Sequence, residues 1–285
     1  MSKAETLQID PTLIARALEE DVGFGDVTTL ATVPAERTLA ATIITRQAGV
    51  IAGLDVAAAV FRAVDAALHI EPLVPDGAAV TPDAQIARIQ GSARSILTAE
   101  RTALNFLGRL SGIATLTARC VAAIDGTGAA IIDTRKTTPG LRALEKYAVR
   151  VGGGRNHRFA LDDGILIKDN HIAAAGGIGP AIAGARKGAP HLLKIEVECE
   201  TLEQVGEALT AGADVILLDN MNVGEQREAV ALIRRHDPRI LIEASGGIGT
   251  NPERLAAVAA TGVDFLSIGA LTHSAPNFDF SLECE

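Results

Sequence analysis

Six short apolar runs, AAIID, GILIK, LLKIEV, DVILLD, RILIEA and DFLSIG, recur from residue 129 onward, with stretches of amphipathic helical periodicity between them. No other feature of the sequence narrows the fold so far. A strand buried on both faces reads as a continuous hydrophobic segment, so apolar runs alternating with helices predict parallel βα units. Right-handed crossovers would curl six such units into an open or incomplete barrel, with a doubly wound sheet as the alternative. The polar residues favour the barrel. Asp133, Arg135 and Lys136 follow the first run, Lys168 and Asp169 end the second, and Glu196 and Glu198 close the third. Asp219 and Asn220 end the fourth, Glu243 and Ser245 the fifth, Gly269 the sixth. These are carboxyl ends of predicted strands, the face on which βα barrels build their sites, whereas polar groups elsewhere on buried strands are hard to satisfy.

Charge is concentrated at the start of this region. Between Ile131 and His171 stand eight Lys or Arg (Arg135, Lys136, Arg142, Lys146, Arg150, Arg155, Arg158, Lys168) and five acids (Asp133, Glu145, Asp162, Asp163, Asp169), a local excess of +3 in a chain of net −9. A local excess points to a small anion as partner. If Arg135, Lys136, Arg158 and Lys168 share one cleft, each like-charged pair near 4 Å repels by about 4 kcal/mol at an effective dielectric of 20, and a polyanion relieves it. Arg142, Lys146 and Arg150 fall at helical spacing and read instead as helix-surface charge. After the last two runs come glycine turns, Ala244 to Thr250 and Ser267 to Ser274. Glycine backbone N–H groups beside a helix N-terminus are a common phosphate cradle after the final strands of a barrel.

The first part of the chain is a mixed α/β region. Asp10 and Pro11 read as the cap and first turn of a helix stopped by Gly23 and Gly25. TLAATIITRQAG and AQIARIQG read as strands and LDVAAAVFRAV as a helix. From Ser92 to about Gly126 one long or kinked helical region links the two halves. Glu100 and Arg101 read as an exposed pair or as site residues. The chain is 48% hydrophobic, enough for a sizeable core, but 3% aromatic with no Trp, which offers little for stacking nucleic-acid bases. Net −9 argues against duplex binding. Cys120, Cys199 and Cys284 form neither a disulfide framework nor a zinc pattern and suit a reducing compartment. MSKAETLQIDP lacks an apolar signal core and charges interrupt every apolar run, so the expectation is a cytoplasmic protein with no membrane partner.

The motifs ERTALNFLGRLSGIAT, DTRKTTPGLRALEKYAVRVGGGRNHR, LIKDNHI, KIEVECETL, VILLDNM, IEASGGI and DFLSIGALTHS resemble, in order and spacing, those of the quinolinate phosphoribosyltransferases. The resemblance covers nearly the whole chain after Ala99. It implies an α/β fold with an N-terminal α/β sandwich domain (1–112, joined by the tail 273–285) and a C-terminal incomplete βα barrel of parallel strands (113–272). It implies a homodimer, or a higher oligomer, with shared active sites. The family joins quinolinate to 5-phosphoribosyl-1-pyrophosphate with Mg²⁺ and no organic cofactor, giving nicotinate mononucleotide, pyrophosphate and CO₂. By resemblance Arg135, His157, Arg158 and Lys168 hold the quinolinate carboxylates, with Arg101 reaching in from the neighbouring subunit. Lys136 serves quinolinate or the pyrophosphate. Glu198 and Asp219 serve the ribose and Mg²⁺, and Ser245, Gly246, Gly247 and Gly269 take the 5-phosphate. Lys136, Lys168, Glu198 and Asp219 are the implied catalytic set.

Three rival readings remain at this level. A sister group associated with molybdenum transport shares the arginine-lysine and glycine motifs, but the intact LIKDNH speaks for the quinolinate enzyme. Lys168 as a Schiff-base lysine would make a lyase. A non-catalytic anion-binding protein would keep the phosphate loops without the acids.

Overall fold

The computed structural model describes residues 7–285; residues 1–6, on which the expected absence of a signal segment partly rests, lie outside them. In chain order the elements are α1 (Pro11–Val22), α2 (Val27–Thr32), β1 (Thr38–Thr45), β2 (Gly49–Val50), α3 (Leu54–Val64), β3 (His69–Pro72), β4 (Ala79–Val80), β5 (Gln85–Ser92) and α4 (Ala93–Ala123). There follow β6 (Ala130–Ile132), α5 (Arg142–Val151), β7 (Ile165–Ile167), α6 (Asp169–Ala175), α7 (Ile178–Gly188), β8 (Ile195–Cys199), α8 (Leu202–Ala211), β9 (Val215–Asp219) and α9 (Val223–His236). The last are β10 (Leu241–Ser245), α10 (Pro252–Ala259), β11 (Phe265–Ser267), α11 (Ala270–His273) and β12 (Phe280–Cys284). Among these residues no helix is long and apolar enough to cross a membrane.

Two compact units emerge. The first gathers residues up to Ala118, Thr138–Gly153 and Ser274–Glu285. Its sheet runs β12-β1-β5-β3, antiparallel throughout, with β12 paired along β1 from Ala41↔Cys284 to Thr45↔Phe280. Asp10 caps α1 by accepting from the Thr12 N–H at 2.9 Å, with Pro11 in the first turn, as its sequence predicts. α4 is one unbroken helix, and its glycines admit the C-terminal segment: a Cβ at Gly112 would stand 2.0 Å from the Pro276 carbonyl oxygen.

α5 belongs to this first unit, although its sequence lies within the run 113–272 expected for the barrel. Glu145 and Lys146 are both 0% exposed, so Lys146 is not helix-surface charge. Helical spacing identifies the helix but not what covers its polar face. Glu145 accepts from Arg109 Nε at 3.0 Å and Nη2 at 2.7 Å, and from the Thr138 N–H and hydroxyl at 3.0 and 2.8 Å.

The second unit, Arg119–Thr137 with Gly154–His273, holds a parallel sheet in the order β6-β11-β10-β9-β8-β7. That order is sequential around a ring opened between β6 and β7. A doubly wound sheet would reverse direction partway, so the incomplete barrel holds. The open edge carries a stub: Arg155 bridges Ile132 in parallel, its N–H donating to Ile131 O at 2.9 Å. β8, β9 and β10 are buried along most of their length and form the core of this unit.

Candidate active site

At the carboxyl ends of the barrel strands lies a cavity of about 560 Å³. Arg135, Lys136, His157, Arg158, Lys168, Glu198, Asp219, Ser245, Gly246 and Gly247 all line it. Of the residues expected here from this chain itself, Gly269 does not. Arg101 is exposed on α4 in the first unit, and Gly269 stands behind Lys136. A Cβ at Gly269 would meet Lys136 Cδ at 2.9 Å, so this glycine makes room for the lysine stem.

Asp133, fully buried just past β6, organises the cationic wall. Its carboxylate accepts from the His157 N–H at 2.9 Å and from Asn156 Nδ2 at 2.6 Å, which fixes the loop following the Arg155 bridge. Arg158 is thereby placed on the cavity wall and tied by Nη1 to Gly164 O at 2.9 Å. Burial, and then repulsion from Arg135, make the Arg158 guanidinium less willing to hold its proton than usual. Arg135 Nε is itself buried with no hydrogen-bond partner. Two crowded guanidiniums with a spare buried donor are costly unless an anion joins them.

The acidic wall comes from neighbouring strands. Glu198 ends β8 and forms an ion pair with Lys168, whose backbone N–H donates to His171 Nδ1 at 3.0 Å, fixing the turn after β7. Asp219 ends β9 and accepts from Asn220 Nδ2 at 2.6 Å. Burial first, and then Glu198, push the Asp219 carboxyl up, against the pull of Lys168. Mutually repelling carboxylate oxygens suit a hard divalent cation. Asn220 adopts φ +56 and lies against the glycine turn, where a Cβ at Gly246 would fall 2.3 Å from its Oδ1. Gly246 itself has φ +80, so only glycine closes the turn this tightly.

From the sequence, His157 was expected at the quinolinate carboxylates, whereas Glu196 and Glu243 were strand-end acids with no assigned role. His157 Nε2 lies 3.0 Å from Glu196 Oε2 and 3.4 Å from Glu243 Oε2. All three ligand atoms sit within 4.8 Å of one another, near enough to chelate a cation. Burial opposes charge on His157 and the two carboxylates outweigh it, raising its proton affinity. The Arg158 N–H donates to Nδ1 at 2.7 Å, which orients the ring so that Nε2 faces the two carboxylates. Two carboxylates at such a distance repel by about 3.5 kcal/mol at an effective dielectric of 20, more than two pKa units. Burial first, with Glu243 beside it, accordingly raises Glu196 to about 7, and its Oε1 has no partner. The available signal was Glu196 and Glu198 in one strand: residues two apart share a face, so Glu196 also points into the barrel.

Residues 26–111 match the quinolinate phosphoribosyl transferase N-terminal domain and residues 113–283 its C-terminal domain. The chain is 48% identical over 273 residues to a nicotinate-nucleotide pyrophosphorylase [carboxylating] of Mycobacterium leprae, covering 95% of each. It is 40% identical over 237 residues to the human protein of that name, covering 82% of this chain and 78% of that one. A crystal structure of NadC from Streptococcus pyogenes superposes with a TM-score of 0.91 at 43% identity, covering 98% of both chains.

Proposed function

The chain belongs to the quinolinate phosphoribosyltransferase family, and from that premise we propose that it transfers the phosphoribosyl group of 5-phosphoribosyl-1-pyrophosphate to quinolinate with loss of CO₂. The products are nicotinate mononucleotide, pyrophosphate and CO₂, a step of NAD synthesis in the cytoplasm. The observation that carries this reading is the pairing of Arg135 and Arg158, crowded and with a buried unpartnered donor, opposite Glu198 and Asp219 in one cavity. Arg135, Arg158 and Lys168 bind the two ring carboxylates, and Lys136 binds a carboxylate or the pyrophosphate. His157, expected to bind a quinolinate carboxylate, has Nε2 against Glu196 and Nδ1 against the Arg158 N–H, so its proposed role changes to positioning the cavity floor. Ser245, Gly246 and Gly247 cradle the 5-phosphate, with Gly269 shaping the site around Lys136.

Glu198 and Asp219 face the ribose and hold Mg²⁺, for which hard oxygen donors fit. When bound, that ion supplies charge neutralisation on the pyrophosphate. Pyrophosphate leaves C1 of the ribose as positive charge develops, and the quinolinate nitrogen enters, so catalysis is positioning and electrostatics. The pyridinium then stabilises negative charge on the adjacent carbon as CO₂ departs. The barrel, 113–272, is the catalytic domain, and 1–112 with 273–285 forms the other. The chain works as a homodimer, or a higher oligomer, with Arg101 supplied by a second copy. A Schiff-base role for Lys168 is disfavoured by its ion pair with Glu198.

The decisive experiment mixes purified protein with the donor, Mg²⁺ and either quinolinate or nicotinate. Pyrophosphate and CO₂ from quinolinate are expected; turnover of nicotinate alone rejects the reading. Losing one charge-assisted contact weakens the monoacid by about 1.5 to 3 kcal/mol.

A further inference from the structure

Among the described residues, two other than glycine have positive φ: Asp83 (φ +66) and Asn220 (φ +56). Left-handed backbone is costly for a residue with a Cβ and persists where its surroundings hold it. Asp83 stands on an exposed turn between β4 and β5, paired with Arg46. Asn220 lines the substrate cavity. It is exposed, so core packing does not account for its conformation. The chain on either side of it is committed. Its N–H donates to Ser245 O at 3.1 Å, one rung past the Asp219↔Ser245 pair of β9 and β10. Met221 is buried and its carbonyl accepts from Gln226 Nε2 at 3.0 Å, while Asn222 caps α9. The Asn220 amide then meets two parts of the cavity wall. Nδ2 donates to Asp219 Oδ2 at 2.6 Å, and Oδ1 lies so close to the turn after β10 that Gly246 has no room for a Cβ. A carboxylate only accepts, so the nitrogen end of the amide faces Asp219 and the oxygen end faces the turn.

Both of these contacts belong to the proposed donor site. Asp219 faces the ribose, and Ser245, Gly246 and Gly247 cradle the 5-phosphate. The span between the carboxylate and the turn therefore has to match the span between two groups of one donor molecule, and misplacement of a binding group by about 1 Å is costly. We propose that Asn220 is a positioning residue that sets this span, and so selects a donor with a phosphate on C5 of a ribose. The inference rests on the proposed phosphoribosyl transfer. One side chain in the left-handed conformation reaches both the carboxylate of its own strand and the turn of the next, so the strain sits where it fixes a distance between anchors. The Nδ2 contact holds Oδ2 of Asp219, which orients Oδ1 of the same carboxylate. Quinolinate, assigned to Arg135, Arg158 and Lys168, touches neither anchor, and its binding is independent of Asn220.

The test uses the full chain with quinolinate, 5-phosphoribosyl-1-pyrophosphate and Mg²⁺. Asn220→Gly removes the amide and suits φ +56, so thermal unfolding is expected to be unchanged or to move upward. KM for the donor is expected to rise by about tenfold, the scale of one hydrogen bond to a charged group, with KM for quinolinate unchanged. Asn220→Asp tolerates the same backbone but turns a carboxylate toward Asp219, and is expected to bind the donor no better than the glycine variant. A second arm measures competitive inhibition against the donor. Ribose 5-phosphate spans both anchors and is expected to weaken in Asn220→Gly by the same factor as the donor. Inorganic phosphate needs only the turn and is expected to inhibit as it does the wild type. An unchanged donor KM, an equal rise for quinolinate, an equal loss for inorganic phosphate, or recovery in Asn220→Asp overturns the inference. Unfolding of Asn220→Gly overturns it too, by making Asn220 structural. Absence of pyrophosphate from the wild type overturns instead the proposed function.

Discussion

Each unit buries a glutamate on a functional-looking stretch of charge, and the two are treated oppositely. In the first unit Glu145 is fully enclosed and saturated, taking two bonds from Arg109 and two from Thr138. In the second, Glu196 is nearly as buried but keeps one oxygen unpartnered, and its neighbours are another carboxylate and a histidine. Arg109 and Arg135 make the same contrast among cations, the first donating twice to one carboxylate oxygen and the second with a buried Nε unpaired. Burial alone does not distinguish structural from functional charge. What separates these two pairs is the completion of the hydrogen-bond set, because an unsatisfied buried group in a cavity wall is a cost that a ligand can relieve.

Substitutions at four positions test whether these charges are structural or functional. The largest effect is expected from Arg109→Ala, which strands the Glu145 charge and should lower unfolding stability by about 3 to 5 kcal/mol in denaturant titration. A loss below about 1 kcal/mol would remove Glu145 from the structural class. Next is the pH dependence set by Glu196. Its folded pKa, about 7, lies above its unfolded value, so the folded state binds more protons between roughly pH 4.5 and 7. Its contribution is therefore greatest below that window and is lost as pH rises through 7. Glu196→Gln should flatten this part of the stability profile, and an unchanged profile would show that Glu196 is ionised throughout. Arg135→Ala should weaken kcat/KM for quinolinate by about 10- to 150-fold, the value of one charge-assisted bond, while leaving stability unchanged or raised. A loss of stability like that of Arg109→Ala would place Arg135 with the structural cations. Asp10→Ala, at a cap remote from both clusters, should cost about 1 kcal/mol by thermal unfolding and leave turnover unchanged.

Much of this architecture was legible in advance, for identifiable reasons. The α1 cap needed only Asp10 and Pro11, and the six barrel strands needed only the period of apolar runs between helices. Strand-end polar residues were legible because a βα strand delivers its last side chains to one face. The Arg155 bridge was not, since one residue has no period. Lys146 was misread because the sequence does not say what covers the polar side of a helix. Asp133 was seen as a strand-end acid, but not as the residue that holds the Asn156 and His157 loop.

By itself, the sequence determined the α/β class, the parallel barrel, the cationic stretch and the family. Those follow from local patterns, in which neighbours in the chain specify one another. Which charges are satisfied depends on contacts made in the fold: Glu145 meets Arg109, Arg135 keeps a buried Nε unpaired, and Glu196 and Glu243 converge on one imidazole nitrogen. Such pairings join residues far apart in the chain, and hydrogen bonding and desolvation depend on distances of a few ångströms that no spacing along a sequence encodes.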